Sequence, residues 1–174
     1  MSTETLRWSA AVRTFHWLSA LLVLACVTAA LSVGAFPKAS RYEVISVHLT
    51  LGLSILLLTL ARLLVRSGAK VPNHRLPWHM NAASKGLQAV VYVLLLLLPV
   101  LGYLAVSSRG MPIHTVFFGL NLPPIPGITR QEGGLLIAVH KTLAWVLIWS
   151  VALHAAAALF HHFVRKDQVL KSML

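Results

Sequence analysis

Four long apolar stretches leave this chain little choice of surroundings. Crossing ~30 Å of hydrocarbon takes roughly 20 consecutive apolar residues. The first stretch runs from Phe15 to Phe36 without a charge. The second runs from Val44 to Leu60 and continues through Arg62, whose long stem can carry its charge toward the interface. The third runs from Gly86 to Ser108, with Pro99 as an expected kink. The fourth runs from Leu135 to near Val164, broken only by Lys141. Hydrophobic residues make up 57% of the 174 residues and charged ones only 11%, against about 25% charged in a soluble domain. So small a soluble protein has no interior large enough to hide this much apolar surface. A cytosolic globular domain, a disordered chain and a disulfide scaffold are excluded. The expected fold is all-α: a single integral membrane domain over 1–174, an up-down four-helix bundle with helices at about 14–36, 43–66, 82–108 and 135–164.

The charge balance gives the orientation. Fifteen Lys and Arg against four Asp and Glu leave a net charge of +11, which in a soluble protein would point to nucleic acid. Here the basic residues sit between apolar runs, so they mark cytoplasmic ends and touch anionic lipid headgroups. No nucleic-acid partner is expected. Arg7, Arg13, Arg62, Arg66, Lys70, Arg75, Lys85, Arg165, Lys166 and Lys171 share a side with both termini, and Lys38, Arg41, Arg109, Arg130 and Lys141 take the other. That bias places both termini in the cytoplasm. Arg7 and Arg13 ahead of a run ending Val33-Gly34-Ala35 resemble a secretory signal, but the run is long for a signal core and is expected to be a retained helix. The single cysteine, Cys26, lies inside an apolar run. It offers no disulfide, no CxxCH for covalent haem and no thiolate cluster. A cofactor here is held by nitrogen.

Nine histidines in a chain this apolar are the place to look for chemistry. At 1.5 Å rise per residue, His48 and His140 lie roughly 9 and 8 Å below the outer end, while His16 and His154 both lie close to 30 Å down. His140 and His154 are fourteen residues apart, just under four turns, so they face within about 40° of one another and roughly 21 Å apart in height. One helix thus offers two imidazoles to the interior, each met at its own level by a histidine from another helix. That pattern fits two stacked b-type haems with bis-histidine ligation in a bundle core. Six-coordinate iron has no open position, so such centres move electrons. Any one of these histidines alone would as readily be a hydrogen-bonding or proton-path residue; two level pairs favour ligation. Zinc and copper fit poorly without three or four converging ligands. Gly52, four residues after His48, either admits a flat porphyrin or eases helix packing.

The remaining histidines separate. His74 and His79 belong to the cytoplasmic loop and His114 to the outer loop, with the surface as their expected place. His161 and His162 sit at the inner interface beside Arg165 and Lys166. His161 is nearly two turns beyond His154 on the same stripe, well placed to hydrogen-bond and exchange protons with a quinone carbonyl.

These features carry a family resemblance. Phe15-His16-Trp17-Leu18, Val47-His48 with Gly52, Arg62-Leu63-Leu64-Val65-Arg66, Leu97-Leu98-Pro99-Val100-Leu101-Gly102, His140-Lys141-Thr142-Leu143-Ala144 and Leu153-His154-Ala155-Ala156-Ala157-Ala158-Leu159, with His161-His162 after it, occur in order along the chain. In these the sequence resembles the bacterial cytochrome b561 family, in its superoxide oxidase-like branch. The resemblance implies a four-helix di-haem b protein of the bacterial inner membrane, using ubiquinone. It implies His16, His48, His140 and His154 as axial haem-iron ligands and His161 as a quinone contact. Where some relatives carry histidines on helix three this chain has Lys85 and Gln88, a further expected pair of quinone contacts. The implied reaction is oxidation of periplasmic superoxide, with the electron passing through both haems to ubiquinone. The outer cations Lys38, Arg41, Arg109, Arg130 and Lys141, against Glu43 and Glu132, would steer the anion inward. Lys141, next to His140, and Arg109 are the charges expected to act there. The alternatives are a non-enzymatic carrier between the quinol pool and a soluble redox partner, and a cytochrome b anchor subunit of a dehydrogenase or hydrogenase.

Overall fold

The computed structural model describes residues 7–72, 77–110, 113–116 and 119–174; His74 and Arg75 lie outside them. Its core is four helices: α1 (Ala10–Ser32), α2 (Arg41–Ser67), α3 (Trp78–Ser107) and α4 (Arg130–Phe163). All four are long and apolar enough to cross a membrane. In hydrocarbon no water is present to satisfy a backbone amide, so an apolar run of this length closes its hydrogen bonds within itself as a helix.

The ends follow local chemistry. Ser9 caps α1, its hydroxyl accepting from the Val12 amide. Pro77, whose fixed φ and missing N–H suit the position just ahead of a helix, immediately precedes α3. Thr129 and Glu132 form a reciprocal capping box at α4: the Thr129 hydroxyl accepts from the Glu132 amide and the Glu132 carboxylate from the Thr129 amide. That box starts α4 five residues before the apolar run at Leu135. At the end of the bundle away from both termini, two single 3-10 turns, Val33–Ala35 and Lys38–Ser40, join α1 to α2. The α3–α4 loop holds a two-residue antiparallel pair, β1 (Ile113–His114) and β2 (Asn121–Leu122). It is pinned to α2 where the buried Thr50 hydroxyl accepts from the Val116 amide at 2.9 Å.

The helices associate unevenly. α1 packs closely on α2, α3 on α4, and the two hairpins meet along α2 and α3; α4 has no comparable packing against α1 or α2. The α3–α4 approach depends on Gly133, where an added Cβ would strike the Ser108 side chain and lie 3.2 Å from the Ala105 carbonyl. Cys26, Leu51, Ile55, Leu94, Leu95, Leu98 and Leu147 form the buried apolar layer in the middle of the bundle. At the end of the bundle that holds both termini, the segment after α4 folds back under α1. Ser172 O accepts from the Trp8 amide at 3.1 Å, Met173 O from the Trp17 indole at 2.8 Å, and Leu174 O from the Arg13 guanidinium.

Candidate functional site

Across the gap between α4 and the α1–α2 hairpin, four imidazoles meet in two pairs. In the half of the bundle away from both termini, His48 of α2 and His140 of α4 have ring centres 6.2 Å apart and planes crossing at 82°. Both rings are oriented by main-chain carbonyls. His48 Nδ1–H donates to Cys26 O at 3.0 Å, with the Cys26 sulfur 3.2 Å from the same nitrogen. His140 Nδ1–H donates to Leu98 O at 3.0 Å. A proton on Nδ1 leaves the Nε2 lone pair free, which is the tautomer a metal-binding imidazole needs. Gly102 lets α3 come this close: a Cβ there would lie 3.3 Å from His140 Cε1. Gly52 differs, since a Cβ there would meet nothing within 4 Å. No helix packs on it, so its small size serves open space beside His48 rather than helix packing.

In the half of the bundle that holds both termini, His16 of α1 and His154 of α4 have ring centres 6.3 Å apart and planes at 69°. His16 Nδ1 is held differently, 2.8 Å from Arg62 Nη2 of α2. Leu147, midway between His140 and His154 on α4, belongs to the apolar layer that separates the two levels.

The separations test what these pairs can hold. A metal–imidazole bond is about 2.0 Å and the ring centre lies roughly 1.15 Å beyond the nitrogen, so two imidazoles on opposite sides of one iron have centres about 6.3 Å apart. Both observed spacings match. Among the described residues no three or more His, Cys, Asp or Glu side chains gather into a metal cluster. The donors come in opposed twos, which suits a group bringing its own four in-plane nitrogens. The donor sets therefore fit haem. A profile of known families decides the kinship: one described as prokaryotic cytochrome b561 matches residues 7–174.

The chain belongs to the prokaryotic cytochrome b561 family.

The curated relatives agree over nearly their whole lengths. Cytochrome b561 homolog 1 of Escherichia coli is 30% identical over 91% of this chain and 92% of its own. Cytochrome b561 homolog 2 of the same organism is 32% identical, over 92% and 87%. The probable superoxide oxidase CybB of Yersinia pestis is 30% identical, over 91% and 90%. As a cytochrome b561, the protein is a haem b oxidoreductase of a bacterial membrane, working with redox partners there.

The other sequence-derived residues are dispersed. Arg109 and Arg130 line one cleft of about 510 Å³ between the C-terminal end of α3 and the N-terminal end of α4, walled by Ala105, Val106 and Ile137. Lys141 is exposed and does not line it. Because α4 begins at Arg130, Lys141 sits eleven residues into the helix rather than at its rim. His161, at the C-terminal end of α4, is buried and its Nδ1 lies 2.5 Å from Asp167 Oδ2, with Arg165 Nε 3.7 Å from the same oxygen. Lys85 is exposed, and Gln88 is engaged by Arg66 Nη2 at 2.9 Å and by Ser84. Among the described residues no hydrogen bond joins either to His161. His79 and His114 are both exposed. Asp167 and the Cys26 and Leu98 carbonyls were not singled out from sequence, and Arg62 was read there only as a cation snorkelling from a helix end. Asp167 alone left a signal there, as one of only four acidic residues.

Proposed function

We propose that this cytochrome b561 is a superoxide oxidase of the bacterial inner membrane, with both termini cytoplasmic, which takes electrons from periplasmic superoxide and reduces ubiquinone near the cytoplasmic face. The observation that carries the reading is the pair of histidine couples, 6.2 and 6.3 Å between ring centres, one above the other across an apolar layer. The name of the Yersinia pestis relative supports superoxide as the donor. His48 with His140, and His16 with His154, hold two haem b groups, which supply reversible one-electron chemistry between the faces. Two superoxide anions and one quinone, with two protons, give two dioxygen molecules and one quinol.

The protein's own groups perform the rest. Arg109 and Arg130 at the outer cleft, with Lys38, Arg41 and Lys141, make the outer face attractive to a small anion, a diffusional effect that salt screens. Bis-histidine ligation leaves superoxide no iron position to occupy, so it has only to reach the outer rim. At the inner end His161, oriented by Asp167, holds a proton where quinone reduction consumes one. Lys85 and Gln88 extend that polar face along α3.

The test is superoxide-driven reduction of a soluble ubiquinone analogue by purified protein. Arg109→Glu with Lys141→Glu is expected to slow the reaction roughly tenfold at low ionic strength, the difference closing at high salt. A wild-type rate that ignores salt and charge reversal contradicts the steering. Absence of superoxide-driven reduction, with both haems present and reducible by quinol, indicates a quinol-to-cytochrome carrier instead.

A further inference from the structure

Arg62 is a cation in the wrong place for a snorkelling residue. Its guanidinium donates from Nη2 to His16 Nδ1 at 2.8 Å, and its carbon lies 5.2 Å from the centre of the Tyr92 ring. Among the described residues its buried Nε has no hydrogen-bond partner, and neither have the buried hydroxyls of Tyr92 and of Thr59, one turn earlier on α2. A guanidinium held in a bundle without a counter-ion is costly. Among the described residues no carboxylate pairs with it: Glu43 and Glu132 belong to the outer helix ends, and Asp167 is taken by His161 and Arg165. Arg66, one turn further on, is by contrast satisfied by Gln88, Trp8 and Tyr92.

The bond to His16 sharpens the point. A guanidinium only donates, so it makes Nδ1 the acceptor and puts the imidazole proton on Nε2. An imidazole that binds iron through Nε2 carries its proton on Nδ1 instead, as the other level shows with His48 and His140. His16 cannot accept from Arg62 and bind iron through Nε2 in the same neutral form. Ligation requires Arg62 to turn to another acceptor, one that is anionic and arrives with the iron. Haem b brings two propionate carboxylates.

We propose that Arg62, with the Tyr92 hydroxyl beside it, binds a propionate of the inner haem and thereby sets that haem's retention and reduction potential. This rests on His16 and His154 as the inner ligands. A guanidinium compensating the propionate favours the reduced, less positive iron. Removing it leaves the anion unbalanced and favours the oxidised state.

The experiment is an optical redox titration of the purified holoprotein with its haem-to-protein ratio, for the wild type, Arg62→Gln, Arg62→Lys and Tyr92→Phe. His154→Ala identifies the inner haem as the one it loses. Arg62→Gln is expected to lower the midpoint of that haem alone by a tenfold change in its redox equilibrium, about 59 mV for one electron. Arg62→Lys is expected to restore most of it, and Tyr92→Phe to shift the same haem in the same direction by less. If Arg62→Gln loses the inner haem outright, recovery of that haem in Arg62→Lys supports the anchor. Loss in both, with Tyr92→Phe unchanged, overturns it. Unchanged midpoints with both haems retained overturn it as well, as does a shift confined to the outer haem. If His154→Ala loses no haem, it is the inner-ligand assignment that fails, whatever Arg62 does.

Discussion

His48 and His140, the ligands proposed for one of the haems, depend on more than their own side chains. Each ring is fixed by a carbonyl from a neighbouring helix, Cys26 O for one and Leu98 O for the other, so proton position and ring direction are set by packing before any metal binds. Replacing either histidine by alanine is expected to halve the haem-to-protein ratio, and replacing His16 or His154 to do the same at the other level. Pyridine haemochrome analysis of each variant checks it; retention of full haem in any one removes that residue from the ligand set. Gly52 gives a second residue-scale expectation. Nothing lies within 4 Å of a Cβ placed there, so the first carbon of Gly52→Leu meets no protein atom and the rest of the side chain enters the space beside His48. The variant is expected to keep its helix content by circular dichroism and lose the outer haem; two retained haems would show that the space is not used.

At the scale of elements, the gap between α4 and the α1–α2 hairpin is the organising feature, and the tight α3–α4 seam keeps α4 in place. Gly133→Val drives a side chain into Ser108 and toward the Ala105 carbonyl, an overpacking expected to cost about 1–3 kcal/mol. It should lower the thermal unfolding midpoint in detergent, and an unchanged midpoint would mean the seam yields. The segment after α4 is tied down through Asp167. Burial works against its charge, but hydrogen bonds with His161 and from the Val169 amide, with Arg165 nearby, outweigh that and hold the carboxyl below its usual range. A folded-state pKa below the unfolded one contributes stability that is complete above the ordinary carboxylate range and is lost as pH falls through the folded value. Proteolysis of the last ten residues is therefore expected to accelerate on acidification, and in Asp167→Asn already at neutral pH. Equal cleavage of wild type and variant at neutral pH would detach Asp167 from this role.

Much of this was legible at the level of spacing. Fourteen residues between His140 and His154 place both on one stripe because helix rise and pitch are fixed constants, and the depths of His16 and His48 follow by the same counting. What spacing does not carry is which backbone or side chain from another helix meets each ring. The Cys26 and Leu98 carbonyls have no sequence signature, and Arg62 reads as a helix-end cation when α2 is considered alone. Gln88 was expected beside a quinone, yet its amide is spent on Arg66 and Ser84. The early start of α4 was written in Thr129 and Glu132, but a reading led by hydrophobicity begins at Leu135 and passes over a polar capping box.

For the whole molecule, the path we propose across the membrane runs from the cationic rim through the two levels of histidines to the His161–Asp167 end. All of it depends on both levels holding haem. The most direct measurement is the haem-to-protein ratio of the purified protein, with oxidised and dithionite-reduced spectra. Two low-spin b haems per chain, the reduced spectrum carrying sharp α bands, is the expected result. One haem per chain would dissolve one of the two pairs, and a colourless protein would contradict electron transfer through this bundle altogether.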